Sequence, residues 1–154
     1  MSVNNSAIVF VDNAINKIFK TVDTLKHAFG NIVIFNQEKE LFAWLEENAA
    51  DVILMNLDLQ PNDAVTLTKE IRLKTRESNP FIIIYTDKQD DFVQELAFNA
   101  GADSFIAFHH KAAVVELFLK NLLRRRVKVN RNSRKEVVID YDKYLIFKNG
   151  EPFQ

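Results

Sequence analysis

Any chemistry in this chain must be assembled from few residues. Asp12 and Asn13 follow an apolar run, Asn56 ends another, and Thr86 ends a third; His109, His110 and Lys111 stand together further on. A lone carboxylate such as Asp12 is a weak metal candidate, and a solvated or hydrogen-bonded loop carboxylate is the preferred reading. The adjacent histidines have no cysteine or acidic partner at ligand spacing, so no metal is expected there. The absence of cysteine excludes disulfides, thiolate zinc sites and cysteine nucleophiles. There is no glycine-rich phosphate loop and no Ser/His/acid constellation, so the chain does not read as an enzyme. The basic run from Arg124 to Lys135 fits either contact with nucleic-acid phosphates or a solvated linker whose cations sit well near a helix C-terminus.

The elements that would position these residues follow from hydrophobic periodicity. Ala7 to Val11, Ile32 to Phe35, the stretch ending at Asn56, Phe81 to Tyr85 and Asp103 to Phe108 are apolar runs of strand length, as in strands buried on both faces. Between them, helical spacing predicts helices over 14–28 (Ile15, Ile18, Phe19, Val22, Leu25), 37–49, a segment capped by Asn62 or Asp63 with Val65, Leu67, Ile71 and Leu73, 89–100 closed by Gly101, and 111–126. Alternating strands and helices call for an α/β fold: a five-stranded, doubly wound parallel sheet covered on both faces. Sites in such sheets lie beyond the carboxyl ends of the strands. That places Asp12, Asn56, Thr86 and Phe108 or His109 along one edge.

The chain has 154 residues, is 47% hydrophobic with thirteen Phe and one Trp, and carries a net charge of −1. This suits one ordinary domain with a sizeable core and no global attraction to nucleic acid or membrane. Without a membrane-length apolar run or signal-peptide pattern, a cytoplasmic protein is expected. The expected organisation is a domain over 1–126, a linker over 127–135, and a short β extension over 136–154 with an Asn149-Gly150 hairpin signal. Some twenty residues cannot form a core alone. The extension must pack on something, swap with another chain, or begin a further domain.

These residues resemble the response-regulator receiver domain in its OmpR/PhoB-type transcription-factor arrangement. Ile8 to Asn13 is similar to the first strand and its acidic pair, and Asp51 to Pro61 to the segment carrying the phosphoacceptor aspartate. Tyr85-Thr86 resembles the hydroxyl switch position, Ala100 to Phe105 the Gly-Ala-Asp segment leading to an aromatic switch at Phe105, and Val138 to Phe153 the first strands of a winged-helix DNA-binding domain. The family's chemistry needs an aspartate nucleophile, carboxylates for Mg²⁺, a hydroxyl and a lysine. Here Asn56 stands at the nucleophile position, and a carboxamide cannot form an acyl phosphate. Asn13 replaces the second acid, leaving one formal charge where the family has three. Phe108 stands at the lysine position; Lys111 would serve only if the last strand ran further. Asp12 and Thr86 alone survive, so Asp12, Asn13, Asn56, Thr86 and Phe108 form a degenerate phosphorylation pocket with no Mg²⁺ or other cofactor expected.

The resemblance implies a phosphorylation-independent receiver of a DNA-binding transcriptional regulator, acting as a homodimer. DNA would be contacted through a C-terminal domain missing from this chain, and a histidine kinase or another protein is a further expected partner; no membrane is. Phe92, Glu95, Asp103, Phe118 and Lys120 are the candidates for the dimer face, with Ser104 where an acid is common. The alternative reading is a degenerate receiver serving as a ligand- or protein-binding adaptor.

Overall fold

The computed structural model describes residues 6–88, 90–107 and 111–133, with helical backbone alone for 126–133. The elements are β1 (Ala7–Val11), α1 (Ile15–Leu25), β2 (Asn31–Phe35), α2 (Glu38–Leu45), β3 (Val52–Asn56), α3 (Ala64–Lys74), β4 (Phe81–Thr86), α4 (Asp91–Ala100), β5 (Ser104–Ala107) and α5 (Ala112–Ser133). All strands pair in parallel in the order β2-β1-β3-β4-β5. Strand order reverses at β1, so the switch point lies between β1 and β3. This is the α/β fold expected from the alternation of runs.

Both faces of the sheet are buried. Val9, Val11, Ile53, Met55, Ile82 and Ile84 share one core cluster with Leu41 of α2, Leu67 and Ile71 of α3 and Ala97 of α4. On the other face Ile8, Phe10, Leu54 and Ile83 are equally closed to solvent. Two-sided burial is why these strands show no polar alternation.

Helix ends follow local chemistry. Of the two residues expected to cap α3, Asp63 does so, its Oδ1 accepting from the Thr66 N–H at 2.9 Å; Asn62 donates instead to the Glu38 carboxylate. Asp90 caps α4 by accepting from the Phe92 and Val93 N–H groups. Gly101 closes it at φ +112°, a left-handed conformation open to glycine at little cost.

Of the apolar positions expected on α1 and α3, two face out. Phe19 is 59% and Leu73 66% exposed. Ile18, Val22 and Leu25 make the buried stripe of α1, and Phe19 sits one step, about 100°, round from it. Leu73 is likewise off the α3 stripe of Leu67 and Ile71.

The chain divides at α5 into a unit of residues 2–118, which carries the sheet, and a unit from Leu119 onward. The helical backbone of α5 continues to Ser133, past the expected end at residue 126. The expected β extension over 136–154 lies outside the described residues.

Candidate functional site

Register builds the site. Val11 pairs with Met55, so the next residues, Asp12 and Asn56, stand opposite one another, and Asn56 pairs directly with Tyr85. Asp12, Asn56 and Tyr85 thus form one row across β1, β3 and β4, continuing the apolar row Phe10–Leu54–Ile83 on the same face. Thr86, one residue on, points to the opposite face, as period-two alternation requires. Ile84, which shares the face of Thr86, pairs with Phe105; Phe105 is half-buried against the core cluster.

Asp12 is 2% exposed. Its Oδ2 accepts from the Tyr85 hydroxyl at 2.8 Å and from Asn56 Nδ2 at 3.1 Å, and its Oδ1 accepts from the Ala14 N–H at 2.8 Å. Three donors serve a carboxylate with about four acceptor sites. Asn56 Oδ1 accepts from the Asp58 N–H at 2.9 Å. The amide is therefore oriented by donors and acceptors on both sides; flipped, its oxygen would face the Asp12 carboxylate. Burial, then the Asp12 charge and hydrogen bond, push the Tyr85 hydroxyl far above the usual tyrosine range. It stays a protonated donor. The Tyr85 ring lies 6.4 Å from that of Phe10, a tilted pair that fixes the hydroxyl's direction.

Asn13 turns elsewhere. Its Nδ2 donates to the Asn36 carbonyl at 2.6 Å and its Oδ1 accepts from the Gln60 N–H at 2.7 Å, clamping the loops after β2 and β3. Thr86 is buried, its Oγ1 accepting from the Lys88 N–H at 3.1 Å. A cavity of about 110 Å³ is lined by Asp12, Lys17, Asn56, Asp58, Tyr85, Thr86 and Asp87.

Of the predicted pocket, Asp12, Asn56 and Thr86 come together and Asn13 does not line the cavity. Phe108, with His109 and His110, lies outside the described residues. Tyr85, Lys17, Asp58 and Asp87 were not foreseen. Tyr85 carried a readable signal: its hydroxyl is a polar atom ending the buried run Phe81 to Tyr85, and a buried tyrosine hydroxyl needs a partner.

The Mg²⁺ ion of the family's chemistry does not fit this donor set. Mg²⁺ demands oxygen ligands at about 2.0–2.1 Å in near-octahedral geometry. Both oxygens of Asp12, and Oδ1 of Asn56 and of Asn13, already accept hydrogen bonds from this chain. Among the described residues no group of three or more His, Cys, Asp or Glu is placed to hold a metal.

Of the dimer-face candidates, Phe92 (67% exposed) and Glu95 are solvent-facing on α4, and Phe118 and Lys120 are half-buried on α5. Asp103 is engaged within the chain: its Oδ2 accepts from Arg72 Nη2 at 2.7 Å and from the Ile82 N–H at 2.8 Å.

Known proteins share this architecture. The DrrB receiver domain activated with BeF3 superposes with a TM-score of 0.68 at 20% identity, covering 78% of this chain and 98% of that one. A two-component response regulator from Clostridium difficile gives 0.72 at 24% identity, covering 79% and 98%. In sequence, the uncharacterized transcriptional regulatory protein YcbL of Bacillus subtilis is 27% identical over 137 residues, 84% of this chain and 59% of its own length. The response regulator ArlR of Staphylococcus saprophyticus is 28% identical over 105 residues, 68% and 46%. The chain spans about half the length of the curated relatives it matches. The family model for the response regulator receiver domain matches residues 8–115, and with the strand order and the site at the carboxyl ends of β1, β3 and β4, the chain belongs to that family.

Proposed function

We propose that this chain is a phosphorylation-independent receiver domain of a DNA-binding transcriptional regulator of the OmpR/PhoB arrangement, acting through dimerisation. The observation that carries the reading is the hydrogen bond from Asn56 to Asp12. The position that would hold the nucleophile instead donates to the remaining acid. A neutral amide has neither the charge nor the nucleophilic oxygen to take a phosphoryl group. Two of the relatives are named as transcriptional regulatory proteins, which supports a role in transcription; in this reading a part of the regulator beyond the receiver contacts DNA.

The dimer would rest more on apolar contact than on ion pairs. Phe92 and Leu96 are exposed on α4, while Asp103 already serves Arg72. Action in the cytoplasm is part of this reading; no helix among the described residues is long and apolar enough to cross a membrane. A partner such as a histidine kinase would read the surface rather than the pocket. The adaptor reading, if it relied on a ligand in the pocket, would have about 110 Å³ to work with, well below the roughly 300–1,000 Å³ of small-molecule sites.

Incubation with a small phosphodonor and Mg²⁺, followed by intact-mass measurement and light scattering, tests the proposal. No phosphoryl adduct and a dimer insensitive to the donor are expected. A stable adduct, or a monomer that dimerises only on its addition, would overturn it.

A further inference from the structure

The sheet edge carries a second peculiarity, in the residue before Thr86. Among the described residues no cation pairs with the buried carboxylate of Asp12; neutral groups meet it, the Tyr85 hydroxyl and Asn56 amide on one oxygen and the Ala14 N–H on the other. A buried carboxylate needs donors or a cation to offset desolvation. We propose that Tyr85 and Asn56 together act as a built-in substitute for a divalent cation on Asp12, with Tyr85 the positioning residue. The inference rests on reading the pocket as one that is not phosphorylated, and it goes further: restoring a carboxylate at position 56 does not by itself restore a cation site.

The geometry gives the reason. Asn56→Asp would set a carboxylate oxygen about 3.1 Å from Asp12 Oδ2, where the amide now donates. Two carboxylates at that distance need a proton or a cation between them. The Tyr85 hydroxyl would still occupy Oδ2, one of the oxygens a metal must take, and would still stabilise the anion. Its ring is fixed against Phe10 and 1% exposed, so it has no solvent side to swing to. A metal would compete with a preformed donor. Removing the hydroxyl alone, by Tyr85→Phe, keeps the ring packing and leaves that oxygen short of a donor.

The test uses Mn²⁺ alone, titrated calorimetrically into the whole chain without phosphodonor. Uptake of phosphoryl groups is therefore a separate result that bears on the preceding proposal and not on this one. Wild type should show no binding that Asp12→Asn abolishes. Asn56→Asp should bind weakly, and Asn56→Asp/Tyr85→Phe about tenfold more tightly or better, the worth of one hydrogen bond to a charged group. Equal affinity in the single and double variants, or a wild-type site lost in Asp12→Asn, would overturn the inference. A second measurement needs no variant of the pair: the Tyr85 hydroxyl proton, shielded from water, should appear as a slowly exchanging resonance in the folded wild type, unmoved by millimolar Mg²⁺. Its absence, or its displacement by Mg²⁺, counts equally against the proposal.

Discussion

At the carboxyl ends of the strands Asp12 is almost wholly buried and is met by neutral donors. At the opposite end Asp103 is 40% exposed in its side chain and is met by a guanidinium and a backbone N–H. The two clusters answer different needs. Neutral donors satisfy a buried anion without bringing in a second charge to desolvate, but each donor must be in place. At the other end the cation does more than pair with Asp103. Arg72 also donates to the Gly101 carbonyl twice, to the Pro80 carbonyl at 2.7 Å and to Asn79 Oδ1 at 3.1 Å. One side chain from α3 thereby ties the start of β4 to the turn between α4 and β5. At the pocket edge Asp12, Asn56 and Tyr85 spend their polar groups on one another. The far edge is a structural tie in which the ion pair is incidental to the backbone contacts.

The largest effect separates the two edges by burial. Tyr85→Ala removes a fully buried ring from the Phe10 pair and withdraws a donor from Asp12. A loss of about 3–5 kcal/mol in unfolding free energy is expected, read from urea denaturation. Arg72→Ala leaves the Gly101 and Pro80 carbonyls without this partner but opens onto solvent, so water replaces part of the loss. About 2–3 kcal/mol is expected. Arg72→Lys should recover little of it, since an ammonium cannot fork across Gly101, Pro80 and Asp103. A lysine variant as stable as wild type would show that charge, and not the fork, holds this edge.

The contrast also marks what the sequence shows and what it does not. Strands such as Val52 to Met55 and Ile82 to Ile84 are legible because two-sided burial leaves an unbroken apolar run. Asp12, Asn56 and Thr86 could be placed by counting to the strand ends. Tyr85 could not be assigned to Asp12, because which neighbour meets it depends on the Asn56–Tyr85 register, a long-range property absent from local pattern. Asn13 is a pocket residue by the family resemblance, yet its side chain clamps Asn36 and Gln60. Arg72 reaches Gly101 across 29 positions, beyond any helical or strand period. The basic stretch after Arg124 reads equally as a linker or as the frayed end of a helix; Arg and Lys are good helix formers, and the helical backbone of α5 runs on to Ser133.

An intermediate effect comes from titration. The Tyr85 hydroxyl is raised well above its ordinary value of 10.0 by burial and by Asp12. Its contribution is fully present below about pH 10, where folded and unfolded chains both hold the proton. Above that, the unfolded chain releases it and the folded chain does not, so stability falls by up to about 1.4 kcal/mol per pH unit from this residue. Tyr85→Phe should be less stable than wild type at neutral pH and show a shallower alkaline decline. Parallel slopes for the two proteins between pH 10 and 11 would mean that the hydroxyl ionises as freely in the folded state as in the unfolded one.

The smallest effect tests whether charge matters at the far edge at all. Asp103→Asn keeps an acceptor for the Ile82 N–H and for Arg72 while removing the negative charge. Because the Arg72–Asp103 pair is partly open to solvent, its Coulombic part should be worth less than about 1 kcal/mol and shrink further as salt shortens the screening length. Asp12→Asn is the counterpart at the pocket edge. There an amide must face the Asn56 amide, the Tyr85 hydroxyl and the Ala14 N–H with one oxygen where two served before. Its cost should be larger and, because the site is buried, nearly the same at low and high salt. Melting both variants across a salt series separates the edges: convergence on wild type for Asp103→Asn, a constant offset for Asp12→Asn. If the two respond alike, the distinction between a spent pocket and a structural tie does not hold.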